Sequence, residues 1–165
     1  MTETKTTEPT PKQDSPCEIS FYHLTQGEID KSTAKLLEKA YQANLKSVLV
    51  LNSDEEVEHY NKLLWTFASL AFLPHGTQKD KNPERQPVYL SKQPETINDP
   101  SIVATVNAKD AFDMGPFKRC LDIFNGHDND AVTKARQRWK LFHNAGYKLT
   151  YWKQNESGKW FQETN

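Results

Sequence analysis

The sequence predicts a single three-layer α/β domain built on a mostly parallel sheet. Three observations lead there. The first 65 residues read strand, helix, strand, helix, and that alternation implies parallel strands joined by right-handed crossovers. Of 165 residues, 36% are hydrophobic and 11% aromatic, with eight Phe, six Tyr and four Trp. Large side chains at that density build a real core, so a wholly disordered chain is excluded. The length suits one domain better than two.

The elements follow in order. Residues 19–24, ISFYHL, alternate apolar and polar and read as a strand. Asp30 reads as the cap of a helix over 31–44, where Ala34, Leu37 and Tyr41 form one apolar stripe and Asn44 is the stop. Residues 48–51, VLVL, read as a strand covered on both faces. Asn52, Ser53 and Asp54 supply cap residues, and Glu55 and Glu56 suit a first helical turn. That helix carries Val57, Tyr60 and Leu64 on one face. After Pro74, His75 and Gly76 the polar stretch 78–87 is a loop. Strands are expected at 88–90, 102–106 and 120–124, then a long helix from Asp128 to about Ala145, stopped by Gly146, and a last strand over 147–152. Residues 1–16 hold five Thr and three Pro and only Met1 as an apolar residue, which predicts a disordered tail.

Several function classes fall away. Lys plus Arg is 21 against 22 Asp plus Glu, a net charge of −1, which argues against a protein that coats nucleic acid over its whole surface. Apolar runs reach four or five residues, far short of the roughly 20 of a spanning helix. The N-terminus has no apolar signal-peptide core. Cys17 and Cys120 form no CxxC pair, which fits a reducing cytoplasm and no disulfide scaffold. The closest two of the six glycines, Gly115 and Gly126, are 11 positions apart, so neither GxGxxG nor a P-loop can be written. A pyrophosphate after the first strand would also meet the charge of Glu28. There is no GxSxG and no HExxH. The histidines at 23, 59, 75, 127 and 143 have no ligand spacing, and only His75, after Pro74, stands out. Asp110 and Asp113 read as a solvated turn beside Gly115. No catalytic residue, cofactor or metal is expected.

The informative region is 131–155. It holds Lys134, Arg136, Arg138, Lys140, Lys148 and Lys153 and no acidic residue, interleaved with Trp139, Phe142, Tyr147, Tyr151 and Trp152. Arg136, Trp139 and Lys140 are spaced i, i+3, i+4 and share a helix flank. Two readings compete. A single-stranded nucleic acid would place phosphates on the cations and bases on the rings. An acidic peptide ending in a hydrophobic residue would use the same groups as a charged clamp beside an apolar wall. Val132, Ala135, Trp139 and Phe142 also follow core spacing, so Trp139 can equally face inward. A second feature is 63–74, LLWTFASLAFLP, which is richer in large apolar residues than one helix face needs. It is either a buried helix end or an anchor patch for a protein.

Together these segments resemble the chi subunit of the bacterial DNA polymerase III holoenzyme. The resemblance is carried by the opening strand 19–24, by LWTFASLAFLPHG at 64–76, by ARQRWK at 135–140, by AGYKL at 145–149 and by YWKQ at 151–154. It spans 17–155 as a chi-like domain, leaving 1–16 as the tail and 156–165 as a C-terminal extension. It implies a Rossmann-like domain without a nucleotide and without enzymatic activity. Such proteins act in DNA replication in the cytoplasm, at the replisome. They join the clamp loader through the psi subunit and bind the acidic C-terminal tail of single-stranded DNA-binding protein, which ends in Phe. Some pair with an XPD-like repair helicase in place of psi, and contact with DNA is mainly indirect. By position, the tail-binding residues fall on Arg136, Trp139 and Lys140, with Phe124 on the sheet side. The psi- or helicase-facing residues fall on Trp65 and Phe72. Trp139 stands where the family often has Tyr, which keeps the wall and loses a hydroxyl.

Overall fold

The computed structural model describes residues 17–67 and 73–163. The expected tail 1–16 and Phe72 lie outside the described residues. The elements are β1 (Glu18–Leu24), α1 (Ile29–Gln42), β2 (Ser47–Val50), α2 (Asp54–Thr66), a 3-10 turn (Pro83–Arg85), β3 (Val88–Ser91), β4 (Ile102–Val106), β5 (Arg119–Asn125), α3 (Asn129–Asn144), β6 (Lys148–Gln154) and β7 (Trp160–Gln162). Among the described residues they form one sheet in the order β3-β2-β4-β5-β1-β6-β7. Every neighbouring pair is parallel except β6 with β7. This is the three-layer α/β architecture with a mostly parallel sheet that the strand–helix alternation implies, and the Rossmann-like domain that the resemblance implies.

Strand alternation divides the core into two layers. On one face Tyr22, Leu49, Leu90, Ala104 and Ile123 pack against Leu37 and Ala40 of α1 and Tyr60 and Leu64 of α2. On the other, Phe21, Val103, Cys120 and Phe124 pack against Ala135 and Phe142 of α3 and against Met114 and Phe117 of the β4–β5 connection.

Helix boundaries shift where side chains find better partners. α1 starts at Ile29, not after an Asp30 cap, and Glu28 caps it without a side-chain bond. The Asp30 carboxylate instead reaches His59 of α2 at 2.6 Å. The helix ends at Gln42, and Asn44 takes φ 62° as the stop. α2 is capped as its sequence indicates: Glu56 N–H donates to Ser53 Oγ, and Asn52 N–H donates to the Glu56 carboxylate. α3 is capped by Asp128, whose carboxylate accepts from the amides of Asp130 and Ala131. The last long strand begins at Lys148, because Tyr147 is buried against Phe142 and donates to Asp113. Asp113 also accepts from Gly115 N–H, the turn expected there. β7 has no counterpart in the sequence reading. The chain beyond 155 turns at Gly158 (φ +83°) and returns beside β6, where Trp160 meets Tyr22 edge-on.

The topological switch point lies between β5 and β1, whose chains leave to opposite faces toward α3 and α1. In doubly wound folds a nucleotide enters that crevice. Here it is laced shut: Gly126 N–H donates to Leu24 O at 2.8 Å, and the His127 ring meets Thr25 O at 2.7 Å. The amides of Thr25 and Gln26, positioned to hold a phosphate, donate instead to Gln154 Oε1 at 2.9 Å each.

Candidate functional site

α3 owes its position to one inward stripe, Ala131, Ala135, Arg138 and Phe142. Arg138 belongs to that stripe and not to the basic surface where the sequence reading placed it. It is 2% exposed. Its Nε and Nη2 donate to the two oxygens of Asp122 at 2.7 and 2.8 Å, and Nη1 donates to Ala108 O. The counter-charge comes from β5, outside the stretch that lacked acids.

Three more cations of the run are paired: Lys134 with Asp130 at 3.0 Å, Lys148 with Glu18 at 3.8 Å and Lys153 with Glu163 at 3.4 Å. Among the described residues, Arg136 and Lys140 have no carboxylate within ion-pair distance. They stand one turn apart on the exposed flank of α3.

That flank borders a cavity of about 690 Å³ between α3 and the β5-β1-β6 part of the sheet. Phe21 and Phe124 form its floor beside the adjoining rings of Trp139 and Tyr151, with Arg136 and Lys140 at the α3 side. Trp139 is neither sealed in the core nor fully exposed. Its ring packs edge-on against Phe21 at 5.2 Å and Tyr151 at 5.9 Å, yet it is only half-buried and lines the cavity. Phe124 is 2% exposed and serves as floor from β5.

The structure adds residues that sequence reasoning missed. His23 lines the cavity from β1, with its ring 4.9 Å from Phe124 and its Nδ1 hydrogen-bonded to the Tyr151 hydroxyl. Burial, then the charges of Lys153 and Arg136, hold its pKa below the ordinary value. Burial raises that of Tyr151. Gly126 permits this geometry, because a Cβ there would collide with the His23 ring and the Leu24 carbonyl. Gln162 and Glu163 close the far side through β7. His23 shares the parity of Phe21 on β1, which is the one sequence signal for it. Gln162 and Glu163 leave no signal without the sheet.

The other predicted residues lie elsewhere. Trp65, at the end of α2, is 60% exposed and belongs to the opposite face of the sheet. Its ring meets that of His75 edge-on at 5.2 Å. His75 is buried, with its two ring nitrogens at 2.8 Å from Leu73 O and 3.0 Å from Asn61 O, so it braces the helix end. Phe72 falls outside the described residues. Among those residues no group of three or more His, Cys, Asp or Glu could hold a metal ion, and no helix is long and apolar enough to cross a membrane.

Residues 17–150 match the family described as "DNA polymerase III chi subunit, HolC". A protein of Rickettsia prowazekii (strain Madrid E) named "Probable DNA polymerase III subunit chi" is 30% identical over 107 residues, which is 65% of this chain and 65% of that protein. The alignment therefore spans just under two thirds of the relative's length. The family match takes in the β5 floor, the whole of α3 and the end of α2, and stops before most of the β6–β7 side of the cavity. The chain belongs to the DNA polymerase III chi subunit family.

Proposed function

We propose that the chain is a non-catalytic replisome adaptor. One surface binds the acidic C-terminal tail of single-stranded DNA-binding protein, and another joins the clamp loader through psi or pairs with an XPD-like helicase. The observation that carries the tail reading is the cavity floored by aromatic rings with Arg136 and Lys140, both without carboxylate partners among the described residues, at its α3 side. A tail that ends in Phe presents a ring and a carboxylate a few ångströms apart. The ring suits the floor of Phe21 and Phe124 beside Trp139. The carboxylate suits the planar fork of Arg136, with Lys140 as a second charge. The exposed Trp65 supports the partner surface, since large aromatic anchors dominate protein interfaces. The closed switch point supports a domain that works without a nucleotide.

The nucleic-acid groove is the weaker reading because four of the six cations of 131–155 are already paired. A strand-tracking groove needs a row of free charges.

The test is calorimetric titration with a synthetic acidic peptide ending in Pro-Phe. Saturable binding is expected. It should vanish when the final Phe is removed, and Arg136→Ala should weaken it by about 2 kcal/mol, the size of a lost charge-assisted bond. Tight binding of a single-stranded oligonucleotide at physiological salt, with no binding of the peptide, would overturn this reading.

A further inference from the structure

A second cavity, of about 470 Å³, opens on the other face of the sheet. α1 forms one wall, including Lys39, and the rings of Tyr22, Trp152 and Trp160 form the other. Trp152 is stacked on Tyr22 with 10° between the planes, and Trp160 stands edge-on to Tyr22. Arg119, at the start of β5, also lines the cavity. Trp152 and Trp160 lie beyond residue 150, where the family match ends.

The polar groups of this cavity are donors. Arg119 Nη2 donates to Tyr22 Oη at 3.2 Å and to Ser20 Oγ at 3.4 Å. Arg119 Nε and Trp152 Nε1 are buried and meet no acceptor among the described residues. No Asp or Glu lines the cavity. Among the described residues neither Lys39 nor Arg119 has a carboxylate within ion-pair distance. Two cations set in aliphatic and aromatic walls complement a carboxylate carried beside an apolar group.

We propose that this cavity docks a segment of a partner protein in which an acidic side chain is flanked by branched aliphatic residues. The carboxylate pairs with Arg119 and Lys39, the two cations of the lining, and an aliphatic side chain fills the space between α1 and Trp160. A peptide is the fitting occupant because the outer wall comes from β7, which is the last strand of the sheet. An extended segment can run along that open edge while one side chain turns inward. A nucleic-acid strand fits poorly, since one face of the Trp152 ring is taken by Tyr22 and only two cations are present. The site is separate from the α3 cavity and does not depend on the tail reading.

The test follows the Trp152 indole N–H signal of the full ¹⁵N-labelled chain, assigned through Trp152→Phe. Four probes are titrated: a capped hexapeptide with one aspartate between two leucines, its asparagine counterpart, 4-methylpentanoate, and oligothymidylate. A saturable shift is expected with the aspartate peptide, because the Trp152 ring lines the cavity. Binding should be at least tenfold weaker for the asparagine peptide, for 4-methylpentanoate, and in Arg119→Lys with an otherwise unchanged amide spectrum. Arg136→Ala, which disables the α3 cavity, should leave it intact. The proposal is overturned by the absence of a saturable shift or by equal binding of the asparagine peptide. It is overturned also by loss of binding in Arg136→Ala, by 4-methylpentanoate binding as tightly as the peptide, or by a shift that only oligothymidylate produces.

Discussion

Two arginines two positions apart on α3 do opposite work. Arg138 is sealed against Asp122, and removing it leaves a buried carboxylate without its partner. Arg138→Ala should therefore cost about 3–5 kcal/mol in urea denaturation. Arg136 is exposed and without an ion-pair partner among the described residues. Arg136→Ala should leave the denaturation midpoint unchanged while weakening peptide binding by about 2 kcal/mol. A large stability loss in Arg136→Ala would mean that its flank is structural. His23 adds a pH signature. Burial and neighbouring cations hold its folded pKa below 6.5, so the unfolded chain binds more protons in the window just below that value. Stability should thus fall as pH drops from about 7 toward 5.5, and the slope should flatten in His23→Gln. A bound anion would favour the protonated ring, so peptide affinity should rise over the same window in the wild type only. Thermal melts and titrations at three pH values check both signs.

At the scale of elements, α3 separates its tasks by angle. Its buried stripe fixes the helix on Phe21 and Phe124, and the next flank presents Arg136, Trp139 and Lys140 to the cavity. β7 acts on both faces at once. Trp160 closes the cavity beside α1, while Glu163, just after the strand, brings a carboxylate into the cavity beside α3 and pairs with Lys153. That acid opposes an anionic ligand. Glu163→Gln should tighten binding of the acidic peptide about threefold, the effect of one screened charge. Weaker binding in that variant would show instead that Glu163 positions Lys153 for the ligand.

Across the whole molecule, the sheet separates two surfaces. Trp65 stands on the α2 side, and Arg136 and Trp139 on the α3 side. The proposed adaptor role needs such independence, because both partners would have to be held at once. Trp65→Ala should weaken psi or helicase binding by about 2 kcal/mol or more and leave the peptide affinity and the melting temperature unchanged. Combined with Arg136→Ala in a double-mutant cycle, the coupling should stay within about 0.5 kcal/mol. Larger coupling would mean that one surface feels the occupancy of the other through the sheet.

The layer order, the parallel strands and most element centres were legible in local pattern. Apolar periodicity reports which side of a strand or helix is buried, and Ser53, Asp128 and Gly146 act over a few residues. The resemblance carried Arg136, Trp139, Lys140 and Phe124 as a group, and the fold does bring these four to one cavity. Pairing across the chain is a different matter. Nothing near Arg138 announces Asp122, nothing near Asp30 announces His59, and β7 is three residues with no alternation to read. His23 joins the cavity only because β1 lies between β5 and β6, and Gly126 leaves room for its ring. Which cations are matched, and which donors remain without acceptors, depends on contacts between residues far apart in sequence. Charge and hydrogen bonding act over a few ångströms of space, so tertiary structure alone decided them.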